Sequence, residues 1–312
     1  MSIISINNLV KSYNGTEAVK SISFEVEKGE FIAFLGVNGA GKSTTINIIS
    51  TLLQKTSGEV IINGNVLDKD DDNIRKDIGV VFQNSMLDDF LTVKENIRCR
   101  GRLYGLAAIQ IDERISELKE KIGIDKILNK RYEKLSGGQR RRADIARALI
   151  HKPKILIMDE PTTGLDPYTR VSLWDFVSNL REENNTTIFL TTHYMEEAAQ
   201  ADRIIVIDEG RIIENDSPAN LKMKYSKDIL KIYPKEISEM TDYFVSNKID
   251  FKESKNCIEI AVESHTQAIE RLVQIKDKIS GFEMIKGNMD QVFLALTVKK
   301  GGEHNDRDSI NL

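Results

Sequence analysis

Cysteine is almost missing from this chain. Cys99 and Cys257 stand far apart, in no spacing that suits a disulfide or a metal centre, so both read as incidental reduced thiols. Long apolar runs are missing as well: no stretch approaches the roughly eighteen continuous apolar residues of a membrane helix. Residues 1–8 have no basic start followed by an apolar core and do not read as a secretory signal. Nor is there a basic excess. Lys and Arg number 44 against 48 Asp and Glu, a net charge of −4, which gives nucleic acid no support as a partner. A cytosolic chain is the expectation.

The composition, 40% apolar and 29% charged over 312 residues, is that of a globular protein with room for a large domain and a smaller one. The first sixty residues read as strands and tight turns. Ile22, Phe24 and Val26 alternate with polar residues over 21–27, the period of a half-buried strand. Phe31–Leu35 is unbroken apolar sequence, as a strand covered on both faces requires. Asn63-Gly64 between the strand-like runs 59–62 and 66–67 signals a hairpin.

From about 84 to 150 helix formers dominate, with helices expected over 94–103, 112–122 and 140–150. Strands return at 155–158, 186–191 and 204–207, the last pairing with 212–213 across Asp208-Glu209-Gly210. Strands alternating with helices imply an α/β fold with a largely parallel sheet, and the helical stretch reads as an insert. After Pro218 the pattern changes to strands at 229–233 and 258–262 and a helix at 267–278, a small α+β module. The expected domains are 1–220, with a helical subdomain at about 84–150, then 221–300, then a polar flexible tail at 301–312.

Gly36-Val37-Asn38-Gly39-Ala40-Gly41-Lys42-Ser43 follows the strand Phe31–Leu35 and fits G-x-x-x-x-G-K-[ST]. Glycines let successive N–H groups turn toward anionic oxygens, and the helix that starts near Lys42 aims its positive end at the same place. Ile46, Ile49 and Leu53 carry that helix by their spacing. Gly36, Asn38, Gly39, Ala40, Gly41, Lys42, Ser43 and Thr44 are therefore the expected triphosphate-binding residues. Lys42 would neutralise β- and γ-phosphate charge and Ser43 would ligate Mg²⁺.

A second site ends the apolar strand 155–158, where Asp159 and Glu160 stand together. Ligands of open α/β sheets bind at the carboxyl ends of strands. Asp159 would hold Mg²⁺ through water, and Glu160 would take the proton from, or orient, the attacking water. Leu135-Ser136-Gly137-Gly138-Gln139 opens a helix and makes a second anion cradle. One chain with one phosphate loop has no need of two cradles for one nucleotide, so the second is expected to face a nucleotide held by another copy. The following Arg140-Arg141-Arg142 reads as a solvated basic face.

These motifs, in this order, resemble the ATP-binding cassette (ABC) ATPases over roughly residues 3–219. The string Leu135-Ser136-Gly137-Gly138-Gln139 carries most of the resemblance. Tyr13, Gln83, the loop Gly164-Leu165-Asp166-Pro167 and His193 fall in the expected places. The one departure in the phosphate loop is Val37, where many relatives have proline. The resemblance implies a P-loop NTPase fold with an N-terminal antiparallel β subdomain and an inserted helical subdomain. It implies ATP and Mg²⁺ as ligands. Glu160, His193 and Gln83 would be catalytic, with Ser43, Gln83 and Asp159 at the metal. Ser136, Gly137, Gly138 and Gln139 would contact the partner's ATP, and Asp166 would lie at the dimer seam. Tyr13 would stack on adenine or simply pack.

Three strings look like the drug-exporter branch: Thr192-His193-Tyr194-Met195-Glu196-Glu197-Ala198, the stretch 87–96, and Asp290-Gln291-Val292-Phe293-Leu294-Ala295-Leu296-Thr297. They imply export of drugs, antibiotics, peptides or lipids through a separate permease, with a second ATPase subunit, a homodimer by expectation, at the inner face of the cell membrane. An importer ATPase with a regulatory C-terminal module, or a soluble ABC ATPase, shares the same chemistry. Met86, Leu87, Phe90 and Leu91 either border a permease groove or pack the helical subdomain. The C-terminal module would regulate, stabilise the dimer or touch the permease.

Overall fold

The computed structural model describes residues 2–298, and the tail expected at 301–312 lies outside them. The chain divides into two compact units, Met1–Asp216 and Ser217–Leu312. In the first unit, β1 (Ser2–Tyr13) and β2 (Thr16–Glu27) form an antiparallel hairpin. The chain then leaves through β3 (Phe31–Leu35) and α1 (Lys42–Ile49) before β4 (Ser57–Ile62) returns to pair with β1. Asn63 and Gly64, at φ 48° and 80°, turn β4 into β5 (Asn65–Val66), the left-handed pair that an Asn-Gly hairpin turn requires.

The remainder of this unit runs through α2 (Asp71–Asp77), β6 (Ile78–Val81), α3 (Val93–Leu103), α4 (Ala108–Ile122), α5 (Gly137–Leu149) and β7 (Ile155–Asp159). It closes with α6 (Pro167–Asn184), β8 (Thr187–Thr191), α7 (Met195–Ala198), β9 (Arg203–Asp208) and β10 (Arg211–Asp216). Six strands form one sheet in the order β10-β9-β3-β8-β7-β6, parallel except for β10. The all-apolar β3 lies inside it, buried at every residue. Phe24 of β2, Phe34 of β3 and Phe189 of β8 meet with ring centroids 5.6–6.2 Å apart, which joins the antiparallel sheet to the parallel one. Each buried phenylalanine contributes about 1.5–3 kcal/mol of apolar burial.

Register decides where the chemistry falls. Val81 pairs with Met158, Asp159 with Thr191, and Thr191 with Phe34. The exits of β6, β7, β8 and β3 therefore line one edge of the sheet, and those exits carry Gln83, Glu160, His193 and the phosphate loop.

One local expectation needs correction, and one helix is added. The helix after the phosphate loop stops at Ile49, so Leu53 does not continue it, although Leu53 still packs against the core. The 18-residue α6 was not anticipated. Asp166 caps it by accepting the Thr169 N–H at 3.0 Å, Pro167 sits at its first turn, and Leu173, Val177 and Leu180 line its buried side.

The second unit contains α8 (Pro218–Tyr225), β11 (Asp228–Pro234), α9 (Ile237–Ser246), β12 (Lys252–Ser254), β13 (Cys257–Val262), α10 (His265–Ile275), β14 (Ile279–Ile285) and α11 (Met289–Val298). Its antiparallel sheet has the order β12-β13-β11-β14, and the run β-α-β-β-α-β gives the split, ferredoxin-like arrangement. Leu230, Ile232, Ile258 and Ile260 pack there against Met240 and Phe244 of α9. No helix among the described residues is long and apolar enough to cross a membrane.

Candidate functional site

The phosphate loop runs from the end of β3 to the start of α1. Gly41 adopts φ 109°, and a Cβ there would lie 2.7 Å from the carbonyl of Ala18 in β2, so only glycine fits both the turn and the approach. The far side of the loop is held by the β9–β10 turn. The Gly210 N–H donates to Ala40 O at 2.9 Å, and Gly210 O accepts from the Lys20 N–H at 2.8 Å. Inside the loop, Lys42 Nζ donates to Gly36 O at 2.7 Å and Val37 O at 3.1 Å. Burial holds the Lys42 pKa below the ordinary lysine range, against the opposing charges of Glu160 and Asp159. Asn38, Gly39 and Ser43 are exposed, and Thr44 is half-buried.

Glu160 follows the last residue of β7 with φ 44°, left-handed backbone that costs a non-glycine residue about 1–3 kcal/mol. Its surroundings hold it there. The Glu160 N–H donates to Thr191 O at 2.9 Å, while the Thr191 hydroxyl donates to Asp159 Oδ1. Three groups then converge on one carboxylate oxygen, Glu160 Oε2. Gln83 Nε2 donates to it at 3.0 Å, Thr163 Oγ1 donates at 3.3 Å, and His193 Nδ1 lies at 3.4 Å. The fold thus brings together Gln83, Glu160 and His193.

Ser136–Gln139 and Asp166 make a separate group. No hydrogen bond or ion pair among the described residues joins it to loop 36–43. Ser136 and Gly137 are exposed at the N-terminus of α5, and the Ser136 N–H donates to Gln139 Oε1 at 3.2 Å. A Cβ on Gly138 would lie 2.7 Å from Thr169 Cγ2, so α5 touches the first turn of α6 there. Thr169 donates through its N–H and its hydroxyl, at 3.0 and 2.6 Å, to Asp166, and these bonds hold the Asp166 carboxyl below its usual pKa. Tyr13 stands at the tip of the β1–β2 hairpin, 44% exposed, with Lys11 Nζ 5.0 Å from its ring centroid.

The reading of Arg140-Arg141-Arg142 as a solvated face fails at Arg141, which is 7% exposed. Its guanidinium donates to the carbonyls of Phe82 and Pro161, and to those of Asp159 and Glu160 at 3.1 and 2.8 Å. One side chain of α5 thus ties the backbone beside Gln83 to the backbone of Glu160. Asp144, three residues on, accepts from Ser85 Oγ at 2.5 Å and from the Tyr132 hydroxyl at 3.3 Å. Burial raises the Asp144 pKa and pushes the Tyr132 phenol to about 12. The signal for this pair was an i, i+3 Arg and Asp on the same side of the helix as Ala148. Glu197, also buried, accepts from the hydroxyls of Thr162 and, at 2.6 Å, Thr192, which fixes the loop bearing His193.

The donors near Lys42 suit a hard cation. Ser43 offers a hydroxyl, Asp159 a carboxylate and Gln83 an amide, all oxygen ligands, and Mg²⁺ on a nucleotide takes few protein ligands and keeps several waters. The described residues contain no cluster of three or more His, Cys, Asp or Glu that would make a dedicated metal cage.

A family model described as ABC transporter matches residues 19–163. The daunorubicin/doxorubicin resistance ATP-binding protein DrrA of Streptomyces peucetius is 35% identical over 304 residues, covering 94% of this chain and 92% of that protein. The linearmycin resistance ATP-binding protein LnrL of Bacillus subtilis strain 168 is 34% identical over 306 residues, 95% of this chain and 98% of that one. Among solved structures, the ATP-binding cassette MJ0796, a dimer in a post-hydrolysis state bound to ADP and Pi, superposes with a TM-score of 0.63 at 32% identity. It covers 69% of this chain and 98% of its own.

Proposed function

The chain belongs to the ABC transporter family as an ATP-hydrolysing cassette, and we propose that it works as one of a pair that drives drug or antibiotic export through a separate membrane permease. Two copies would hold two ATP molecules between them. Loop 36–43 would cradle the triphosphate, with Lys42 leaving its loop carbonyls to neutralise phosphate charge. The exposed Ser136–Gly138 end of α5 would grip the partner's nucleotide, Asp166 would lie at the seam, and Tyr13 would stack on adenine. Because each nucleotide then touches both chains only in the closed pair, ATP binding favours closure and hydrolysis releases it. The dimeric cassette MJ0796 and the resistance proteins DrrA and LnrL support this reading. The chain would sit in the cytoplasm, peripheral to the inner face of the cell membrane, held there by the permease.

The convergence of Gln83, Thr163 and His193 on Glu160 Oε2 carries the catalytic assignment. An attacking water placed among them would lose its proton to Glu160 while Gln83 and His193 fix its orientation. Ser43, Asp159 and Gln83 would hold Mg²⁺, which supplies charge neutralisation at the phosphate oxygens when bound. Replacing Glu160 with Gln keeps the shape and removes the base. Turnover should fall by roughly 10²–10⁴, with ATP affinity retained and an ATP-dependent shift from monomer to dimer in light scattering. Hydrolysis at the unaltered rate would overturn the assignment.

A further inference from the structure

At the entry end of β7 and β8, where Ile155 pairs with Thr187, lies a cavity of about 540 Å³. Glu160 and His193 stand at the other end of these strands, and no residue assigned to the nucleotide lines the cavity. α4 supplies one wall through Arg114, Glu117, Leu118 and Lys121, whose spacing puts them on one helix face. Leu118, Leu149, Pro153 and Leu180 give the lining an apolar floor, and all four are buried.

The rest of the lining is basic. Lys28, Arg114, Lys121, Lys152 and Lys154 share it with one carboxylate, Glu117. Three of these cations are already paired: Lys152 with Glu117 at 2.9 Å, Lys154 with Asp77 at 3.0 Å, and Lys121 with Glu183. Lys28 and Arg114 form no ion pair among the described residues. Arg114 Nη1 is also buried without a hydrogen-bond partner. Folded proteins satisfy nearly all buried donors, so an open guanidinium nitrogen on a cavity wall calls for an acceptor.

Inorganic phosphate would answer the charge and leave the three leucines and the proline against water. A neutral apolar molecule would cover them and leave Arg114 without its acceptor. A molecule with one acid group on an apolar body meets both needs, because a carboxylate accepts paired N–H bonds from a guanidinium. We propose that this cavity is a second ligand site, which takes a small amphipathic organic anion with its acid group at Arg114 and its apolar body on Leu118, Leu149 and Leu180. The volume suits one molecule of drug size. α5, which contributes Leu149, begins at the exposed Ser136–Gly137 end, and β7, entered from Lys154, ends beside Glu160. An occupant therefore braces the helical insert against the strand that carries the catalytic carboxylate. The site does not depend on the reading of this chain as a transport motor.

The test is isothermal titration calorimetry on the full-length chain, with ATP present and Mg²⁺ omitted so that the nucleotide site is filled and silent. The probes are monomeric decanoate, decanol, decylamine and inorganic phosphate. Decanoate should bind at one site per chain, roughly tenfold tighter than decanol, as a charge-assisted bond pair predicts, with decylamine and phosphate weaker still. The preference for decanoate should shrink in Lys28→Gln, an exposed position, and vanish in Arg114→Gln. The four probes compare ligands on the unaltered protein, so a misfolded variant does not decide the result. Equal affinity for decanoate and decanol overturns recognition of the acid, and phosphate binding as tightly as decanoate overturns the apolar half. Decanoate binding that survives Arg114→Gln unchanged places the ligand elsewhere. Absence of decanoate binding overturns the site, and if oleate-containing phosphatidylcholine vesicles then bind the chain, the basic rim is a membrane contact instead.

Discussion

Gln83 Nε2 lies 3.0 Å from Glu160 Oε2 although 77 residues separate the two. The contact follows from strand register. β6 and β7 are parallel neighbours with Val81 opposite Met158, so the residues just past their ends are carried to the same place. Phe82 and Glu160 are further tied through the Arg141 guanidinium. The donor from β6 thus approaches a carboxylate whose backbone is already held in a left-handed turn.

Gln83→Ala removes that donor and leaves Glu160 in place. A hydrogen bond to a charged group is worth about 1.5–3 kcal/mol, so turnover should drop by roughly ten- to a hundredfold. Nucleotide affinity in a fluorescent-ATP titration without Mg²⁺ should change little, because Gln83 touches the carboxylate and not the loop that cradles phosphate. A rise in Kd with unchanged kcat would assign Gln83 to binding instead.

Arg141→Met deletes a buried cation and leaves four backbone carbonyls without their donor. The expected cost is about 3 kcal/mol, or roughly 6–12 °C in thermal denaturation for a unit this size. Arg141→Lys should recover only part of it, since an ammonium cannot span carbonyls from both loops as a planar guanidinium does. A thermal shift assay separates the three forms. If all of them melt together, the tie is not structural.

The contrast between Arg141 and the phosphate loop shows which features were legible in sequence. Gly36 to Ser43 could be read because its signature is local, a glycine-spaced loop between one strand and one helix, although Gly41 also makes room for the Ala18 carbonyl of β2. Asn63-Gly64 could be read for the same reason. Arg141 could not, because three arginines in a row look alike until β6 and β7 bring carbonyls to the middle one. The left-handed backbone of Glu160 was hidden similarly, since no glycine marks it and Thr191 on another strand enforces it. Asp166-Pro167, a capping residue followed by a first-turn proline, is a local signal for α6. In the second unit, β14 pairs with β11 although α9, β12, β13 and α10 lie between them in the chain, so no short window of sequence reveals its place.

The Asp144 carboxyl has a raised pKa because burial outweighs the Ser85 bond and the charges of Arg141 and Arg147. For an acid this has a definite sign. The unfolded chain gives up the proton first, near pH 3.9, so stability falls as pH rises from there through the folded value. Above that value the penalty is complete. Asp144→Asn removes the charge and keeps a carbonyl oxygen for Ser85 and Tyr132, so it should melt no lower than the parent at pH 7. Any advantage should fade as pH is lowered toward 4. A variant that melts lower at pH 7 would mean that the ion pairs with the two arginines dominate.

Gly138→Ala sets two effects against each other. Alanine favours a helix over glycine by about 1 kcal/mol, which alone would stabilise the start of α5. Its Cβ, however, would lie 2.7 Å from Thr169 Cγ2 and 3.1 Å from Thr169 Oγ1. Relief requires Thr169 to rotate, and rotation breaks its 2.6 Å bond to Asp166. Overpacking of this kind costs about 1–3 kcal/mol, so the clash should match or exceed the helix gain. The larger effect should be on ATP turnover, because the exposed Ser136–Gly137 end and the Asp166 turn are both displaced. Thr169→Ser removes the obstructing methyl and keeps the hydroxyl. In a double-mutant cycle it should restore most of the activity lost to Gly138→Ala while costing little alone. Additive losses would show that Gly138 is needed for its own backbone and not for the room it leaves Thr169.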